Sequence, residues 1–354
     1  MRKFILIIVI FFFLLNGNIF SQVMGGGDIV LDYDSNVFRD HYSDWDWIMR
    51  SYWFLGFGNE KISFLYSGNY NIFGYFNQLN YHFHSLELNG NKKLGKRNSF
   101  NFNIKSELRL NKSEYEYYNE AYNNGEFELK IYPTRDILIK AVGGVTYLKY
   151  LTHDEYEHLR GNFKLQLNKF FPIGLTFRLE GEYSRANFFR GGTLEVPEFA
   201  NQVVGRIRLA KSLTELSGIF MEFEYWKNEV GDESYLAPDP LFEEFWDYYS
   251  YSMQLVRSQY KAYLPYGFSL QIEARYFSRN FSELEARDLE GFSKQVPRKD
   301  KELLTGVVLK KLLNKPDSAS FRLVLSALYN IMYSNDDLYD FSRYVLSCGL
   351  NVRF

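Results

Sequence analysis

Cysteine occurs once in the 354 residues, at Cys348, which rules out an intramolecular disulfide even in an oxidising compartment. Proline is scarce at 8, and no proline-, glycine- or serine-rich run reads as a linker between domains. The formal net charge is -2, from 41 basic and 43 acidic residues, so there is no basic surplus to recruit a nucleic acid. No apolar run is long enough for a membrane-crossing helix; residues 4–15, twelve in a row, fall short of it. Neither a Gly-x-Ser-x-Gly elbow nor a zinc-protease signature is present, so no enzyme and no cofactor is expected.

What the chain has in quantity is aromatic. It carries 33 Phe and 29 Tyr, yet its mean hydropathy is -0.31, which suits strands with one lipid face and one aqueous face. At the start, Met1-Arg2-Lys3 forms a basic head before the apolar run, and small Ser21 precedes Gln22. This pattern predicts a secretory signal peptide over residues 1–22, cleaved near Ser21, and one mature domain over residues 23–354. No cysteine lies near that point, so a lipid anchor is not expected; a retained helical anchor is the weaker alternative.

From residue 28 onward, apolar and polar residues alternate. Phe100, Phe102, Ile104, Leu108 and Leu110 share one parity; Asn101, Asn103, Lys105, Glu107 and Arg109 share the other. Phe163, Leu165 and Leu167 alternate with Lys164, Gln166 and Asn168, and Phe268, Leu270 and Ile272 with Ser269, Gln271 and Glu273. A helical period would mix these sets, whereas a strand keeps them on opposite faces. Short turns are expected near Asn59, Lys96, Thr134, Pro172, Thr214 and Pro265, with a longer one near 314–318. Longer loops are expected at 40–46, 112–121, 152–155, 187–198, 229–245, 282–297 and 334–340. With short turns on one rim and long loops on the other, antiparallel closure needs an even number of strands. The fold class expected is all-β, a transmembrane antiparallel β-barrel of about 16 strands, with 14 as the fallback. A secreted β-sandwich would alternate too, but its strands are usually about 5–6 residues, and many runs here reach roughly ten.

The chain's last residues carry a resemblance. Tyr344, Leu346, Cys348, Leu350 and Val352 alternate with polar or small residues up to a final Phe354. This resembles the closing strand of bacterial outer-membrane β-barrels. The resemblance implies residence in outer-membrane lipid, with Phe354, Val352, Leu350 and Tyr344 read as a signal by the outer-membrane assembly machinery. The run Tyr33-Asp34-Ser35-Asn36-Val37-Phe38-Arg39 resembles the opening strand of porin-like barrels and of barrels that export surface lipoproteins. The latter likeness implies a possible periplasmic partner.

The polar face supplies the candidate site. Folding each hairpin about its turn sets Arg206 opposite Glu224 and Arg208 opposite Glu222. It likewise sets Lys164 opposite Glu180, Glu128 opposite Lys140, and Arg257 opposite Glu273. Opposed unlike charges stabilise a strand pair by about 0.2–1 kcal/mol. Turning an Arg or Lys to lipid near the midplane costs about 2–4 kcal/mol. The second figure decides that the charges face inward; the first only tunes register. The ladder therefore reads as a register lock that also lines a polar path. Asp32, Asp34 and Asn36 could gather a hard cation, but strand geometry favours a plain polar lumen face. His82 and His84 are expected in the lumen, with no third metal ligand and so no metal. Trp45, Trp47, Trp226 and Trp246 are expected in an outer aromatic belt. The acidic, tyrosine-rich loops around Glu114 and Glu229 suit cations or glycans if they bind anything. Three function classes stand at this point: a small-solute channel, an export barrel with a periplasmic partner, and, for want of a motif, last an enzyme.

Overall fold

The computed structural model describes residues 22–189, 196–231, 248–314 and 319–354. Residues 1–21 of the expected signal peptide, Trp246 and most of the 229–245 loop lie outside the described residues, while Gln22, the last residue of that peptide, opens the first strand. Sixteen strands close into one antiparallel barrel in chain order, the first pairing with the last. They are β1 (Gln22–Asp34), β2 (Asp46–Gly58), β3 (Ile62–Phe73), β4 (Tyr81–Leu94), β5 (Asn98–Asn111), β6 (Glu120–Ile131), β7 (Ile137–Tyr150) and β8 (His158–Phe171). The second half comprises β9 (Leu175–Phe188), β10 (Phe199–Thr214), β11 (Ser217–Gly231), β12 (Tyr251–Leu264), β13 (Phe268–Arg287), β14 (Ser293–Leu312), β15 (Ser320–Ser334) and β16 (Phe341–Arg353).

Their alternation is what closes the barrel. Every strand puts one parity outward, and Phe163, Leu165, Leu179, Ile207, Met221, Leu346 and Leu350 are all exposed there. An outward apolar band of this extent is stable only against lipid. Backbone groups are satisfied between strands, and no free edge remains.

Two expectations about element bounds need correction, and one connection was not expected. The opening strand ends at Asp34, not at Arg39: Asn36 turns the chain, its backbone N–H donating to Asp34 Oδ1 at 3.1 Å, and Arg39 takes φ +56°. The expected loop 282–297 is largely strand, because β13 and β14 each run to 20 residues and stand beyond the outer rim as a long hairpin. Its upper register shifts between Asn280 and Glu285, and Arg287 and Lys294 pin it to Asp336 and Asp337 of the β15–β16 loop. A connection at 74–80, between β3 and β4, had no expectation; the Asp46 carboxylate gathers the N–H groups of Gly74, Tyr75 and Phe76 there at 2.8–3.0 Å.

Cys348 is exposed on the outward face of β16, level in parity with Leu346 and Leu350. In intact membranes a hydrophobic maleimide should label it readily and a water-soluble, impermeant thiol reagent poorly. Rapid labelling by the water-soluble reagent would move this strand's register by one.

Candidate functional site: the lumen and its outer mouth

At mid-depth the inner wall is a belt of paired charges. Arg206, on β10, is the hub: its Nη1 donates to Glu180 at 2.5 Å and Glu182 at 2.9 Å, and its Nε to Glu224 at 3.0 Å. Lys164 joins from β8, 3.2 Å from Glu182 and 3.7 Å from Glu180. Arg208 donates to Glu222 at 2.5 Å. Further round, Glu128 holds Lys130 at 2.6 Å and Lys140 in closer contact, and Arg257 and Arg275 reach Glu273 and Glu302 at 3.5 and 3.2 Å. All these side chains share the inward parity, because an outward charge would face hydrocarbon.

The register within this belt differs from expectation at three hairpins. Arg206 does stand opposite Glu224, and Arg208 opposite Glu222. Lys164, however, stands opposite Glu182 rather than Glu180, Glu128 opposite Val142 rather than Lys140, and Arg257 opposite Arg275 rather than Glu273. In each case the turn is centred one residue later than Pro172, Thr134 or Pro265, which slides the partner strand by two. A slip of two preserves the face, so the same residues still meet, but diagonally across the ladder. Such diagonal neighbours lie within reach of long side chains.

Two further placements are corrected. His82 and His84 point outward, on the parity of Leu86 and Leu88, while Phe83, Ser85 and Glu87 take the lumen. His84 Nδ1 lies 2.9 Å from the Tyr66 hydroxyl on the same outer face. Trp226 faces inward, not into a belt: its Nε1 donates to Glu224 at 2.8 Å and its ring lies 5.3 Å from the Arg206 guanidinium. Trp45 and Trp47 are exposed near the outer rim, both packed on Tyr33. Asp32 and Asp34 are taken by guanidinium groups, Arg50 at 2.7 Å and Arg343 at 2.5 Å, which argues against a cation site between them.

Above the belt lies something the sequence reading missed. On the β7–β13 side the upper lumen is filled by buried Tyr150, Phe188, Tyr248, Tyr249, Tyr251, Met253, Phe277 and Phe281. The strand residues among them sit on inward parity, directly above Arg257, Arg275 and Glu182 in their own strands. The signal was available: near the outer ends of β9, β12 and β13 the apolar residues move to the inward parity, as Ala186 and Phe188, Tyr251 and Met253, and Phe277 and Phe281, while Asn187, Ser252, Gln254, Ser278 and Asn280 take the outward one. Beside this packing, Arg279, Arg298 and Asp300 form a buried cluster, Arg279 donating to Asp300 at 2.8 Å and Arg298 at 3.0 Å. Across the mouth, on the β1–β5 and β16 side, a cavity of about 530 Å³ stays open. The 3-10 segment Ser113–Tyr118 turns Tyr115, Tyr117 and Tyr118 into that cavity, and Tyr118 also packs against the apolar cluster.

A closed sixteen-stranded barrel with an outward apolar band and an inward charge belt defines a class: the transmembrane β-barrels of the bacterial outer-membrane kind. Comparison with solved structures agrees on the fold. The chain is similar to OccAB4 of Acinetobacter baumannii (TM-score 0.51, 11% identity, 96% of this chain and 100% of that one). It is similar to OmpT of Vibrio cholerae (TM-score 0.50, 10% identity, 95% and 100%) and to CdiB of Acinetobacter baumannii (TM-score 0.54, 10% identity, 94% and 60%). No protein-family model matches the chain, and no curated protein matches it in sequence.

Proposed function

We propose that the chain is an outer-membrane channel that passes small hydrophilic solutes. One observation carries this reading: below the outer mouth, paired charges and amides line the inner wall, and such a surface is stable in contact with water. Asn89, Asn91, Asn101 and Asn103, bonded among themselves and to Glu87 and Glu128, continue the polar lining toward the periplasmic rim. A sixteen-stranded wall is wide enough for water, though long Arg, Lys and Glu side chains occupy part of that width. No catalytic step is assigned to it. In planar bilayers the protein should show ohmic single-channel currents, smaller than an unobstructed barrel of this size would give. Because cations and anions on the wall are largely paired, the reversal potential should show weak selectivity.

A second reading is favoured by the apolar packing in the outer mouth, which an open pore does not need. In it the barrel is the outer-membrane part of an export assembly and works with a periplasmic partner. A wild-type protein that is inserted, heat-modifiable and carries no current at all would sink the channel and leave this alternative.

A further inference from the structure

The open cavity in the outer mouth is lined by four arginines, Arg39, Arg50, Arg109 and Arg343, against a single carboxylate, Asp34. Asp34 is already taken, accepting from Arg343 Nε at 2.7 Å and from its Nη2 at 2.5 Å. Arg50 is matched by Asp32. Arg39 has an interaction of its own, and Arg109 is the exception. Among the described residues no hydrogen bond or ion pair reaches its guanidinium, and its Nε is buried without an acceptor. Glu120, opposite it in the β5–β6 ladder, is engaged in a contact of its own. Instead the guanidinium is stacked between rings, 4.5 Å from the centre of Tyr81 and 5.7 Å from that of Tyr118.

A stacked guanidinium keeps its N–H edge free, because stacking uses the face and hydrogen bonding uses the rim. Leaving such an edge unsatisfied beside buried surface is costly, so it is poised for an acceptor carrying negative charge. The rest of the wall fixes what that charge is attached to. Tyr115, Tyr117 and Tyr118, packed on one another, line it with ring surface and hydroxyls, and Asn71 and Asn111, whose Nδ2 groups donate to Asn69 and Asn119, add amide oxygens. A purely aryl ligand would make no use of the two amide oxygens or of the tyrosine hydroxyls. A pyranose ring, with an apolar C–H face and an equatorial fringe of hydroxyls, matches both kinds of surface. The volume, about 530 Å³, suits a short oligomer better than a single sugar.

We infer that this cavity binds a short acidic saccharide, a uronic-acid oligomer, with Arg109 holding a carboxylate and the tyrosines stacking on the rings. The inference deepens the channel reading by naming its solute class, and it rests on that reading only for the solute's passage, not for its binding. The test is calorimetric titration of the full chain in detergent with digalacturonate, the neutral disaccharide galactobiose, and benzoate. Digalacturonate should bind saturably and the other two should not at the same concentration. Arg109→Ala should weaken binding about tenfold or more, the size expected for a lost charge-assisted hydrogen bond. Arg109→Lys should recover part of it, since it keeps the charge and loses the planar stack. Each variant is checked for heat-modifiable mobility, and Arg97→Lys, in the exposed β4–β5 turn at the opposite rim, serves as the control.

Equal binding of galactobiose would overturn the role of charge, and preferential binding of benzoate would overturn the saccharide. No heat with digalacturonate, or unchanged binding by folded Arg109→Ala, would overturn the site. Binding without current in bilayers would leave the site standing and defeat the channel. Current without binding would do the reverse.

Discussion

Reversing Arg206 and Arg208 to Glu together should turn a weakly selective lumen strongly cation-selective and cost the barrel several kcal/mol. Arg206 alone serves Glu180, Glu182 and Glu224, with Lys164 the other cation in the group. Two positive and three negative side chains therefore share one stretch of wall. After Arg206→Glu that stretch holds one positive and four negative, and Arg208→Glu adds a second carboxylate facing Glu222. Removing one partner from a buried pair costs about 3–5 kcal/mol when the other is left uncompensated. Arg206 is 18% exposed and looks onto a hydrated lumen, so the loss at each position should fall at or below the lower end, near ~2–3 kcal/mol. Arg206→Met separates the two effects. It keeps the packing against Trp226, removes the charge, and should cost less than the reversal while shifting selectivity the same way. The measurements are urea unfolding of the refolded barrel, followed by heat-modifiable mobility, and reversal potential under a salt gradient. The selectivity shift should shrink as ionic strength rises and the Debye length falls to about 10 Å at 0.1 M. A folded double mutant with the wild-type reversal potential would show that ions, if they pass, do not pass this belt.

The barrel was legible in the sequence because its two solvents are so unlike. A Phe163 or a Lys164 has only one tolerable face, so parity could be read strand by strand, and closure then required an even count. Register was less legible, and the failures are local. Between Phe171 and Leu175 the reversal is carried by Gly174 at φ +73°, and between Leu264 and Phe268 by Tyr266 and Gly267 at φ +60° and +75°. Proline marked these turns without marking their centres. At the two-residue turn after Thr214 a bulge between Ser212 and Thr214 takes up the one-residue offset, and there the charge pairs fall in register. His82 and His84 were misplaced for a different reason. Their polarity argues for the lumen, while Leu86 and Leu88 assign their parity to lipid. The outer mouth was the least legible part. It is built where loops fold across inward-facing aromatics, and the packing of Tyr118 against a cluster drawn from Tyr150 to Phe281 leaves no periodic trace. In the sequence Arg109 is one more inward polar residue of the run from Asn101. Only the structure shows that its neighbours are rings rather than carboxylates.

Deleting Phe354 should separate the stability of the barrel from its assembly. The closing seam pairs β1 with β16 from Gly26 opposite Arg353 to Asp34 opposite Val345. Beyond that, Phe354 N–H donates to Gly25 O at 2.9 Å, Gly25 N–H donates to Phe354 O at 3.0 Å, and the ring covers Gly25 where a Cβ would come within 2.7 Å of it. The deletion thus removes two backbone hydrogen bonds and one ring contact at the periplasmic end. Its cost should be about 1–3 kcal/mol, because each such bond contributes about 0.5–1.5 kcal/mol net. The upper seam is untouched: Arg343 still grips Asp34, and Tyr344 still packs on Tyr33. Purified protein lacking Phe354 should therefore refold in detergent to a heat-modifiable barrel of slightly lower urea midpoint. In cells the expectation is much larger. If Phe354, with outward-facing Tyr344, Leu350 and Val352, is what the assembly machinery reads, the deletion should nearly empty the outer-membrane fraction and send the chain to the periplasm or to degradation. Near-normal outer-membrane levels would refute the recognition role. Failure to refold in detergent would show instead that the last residue is needed to close the seam itself.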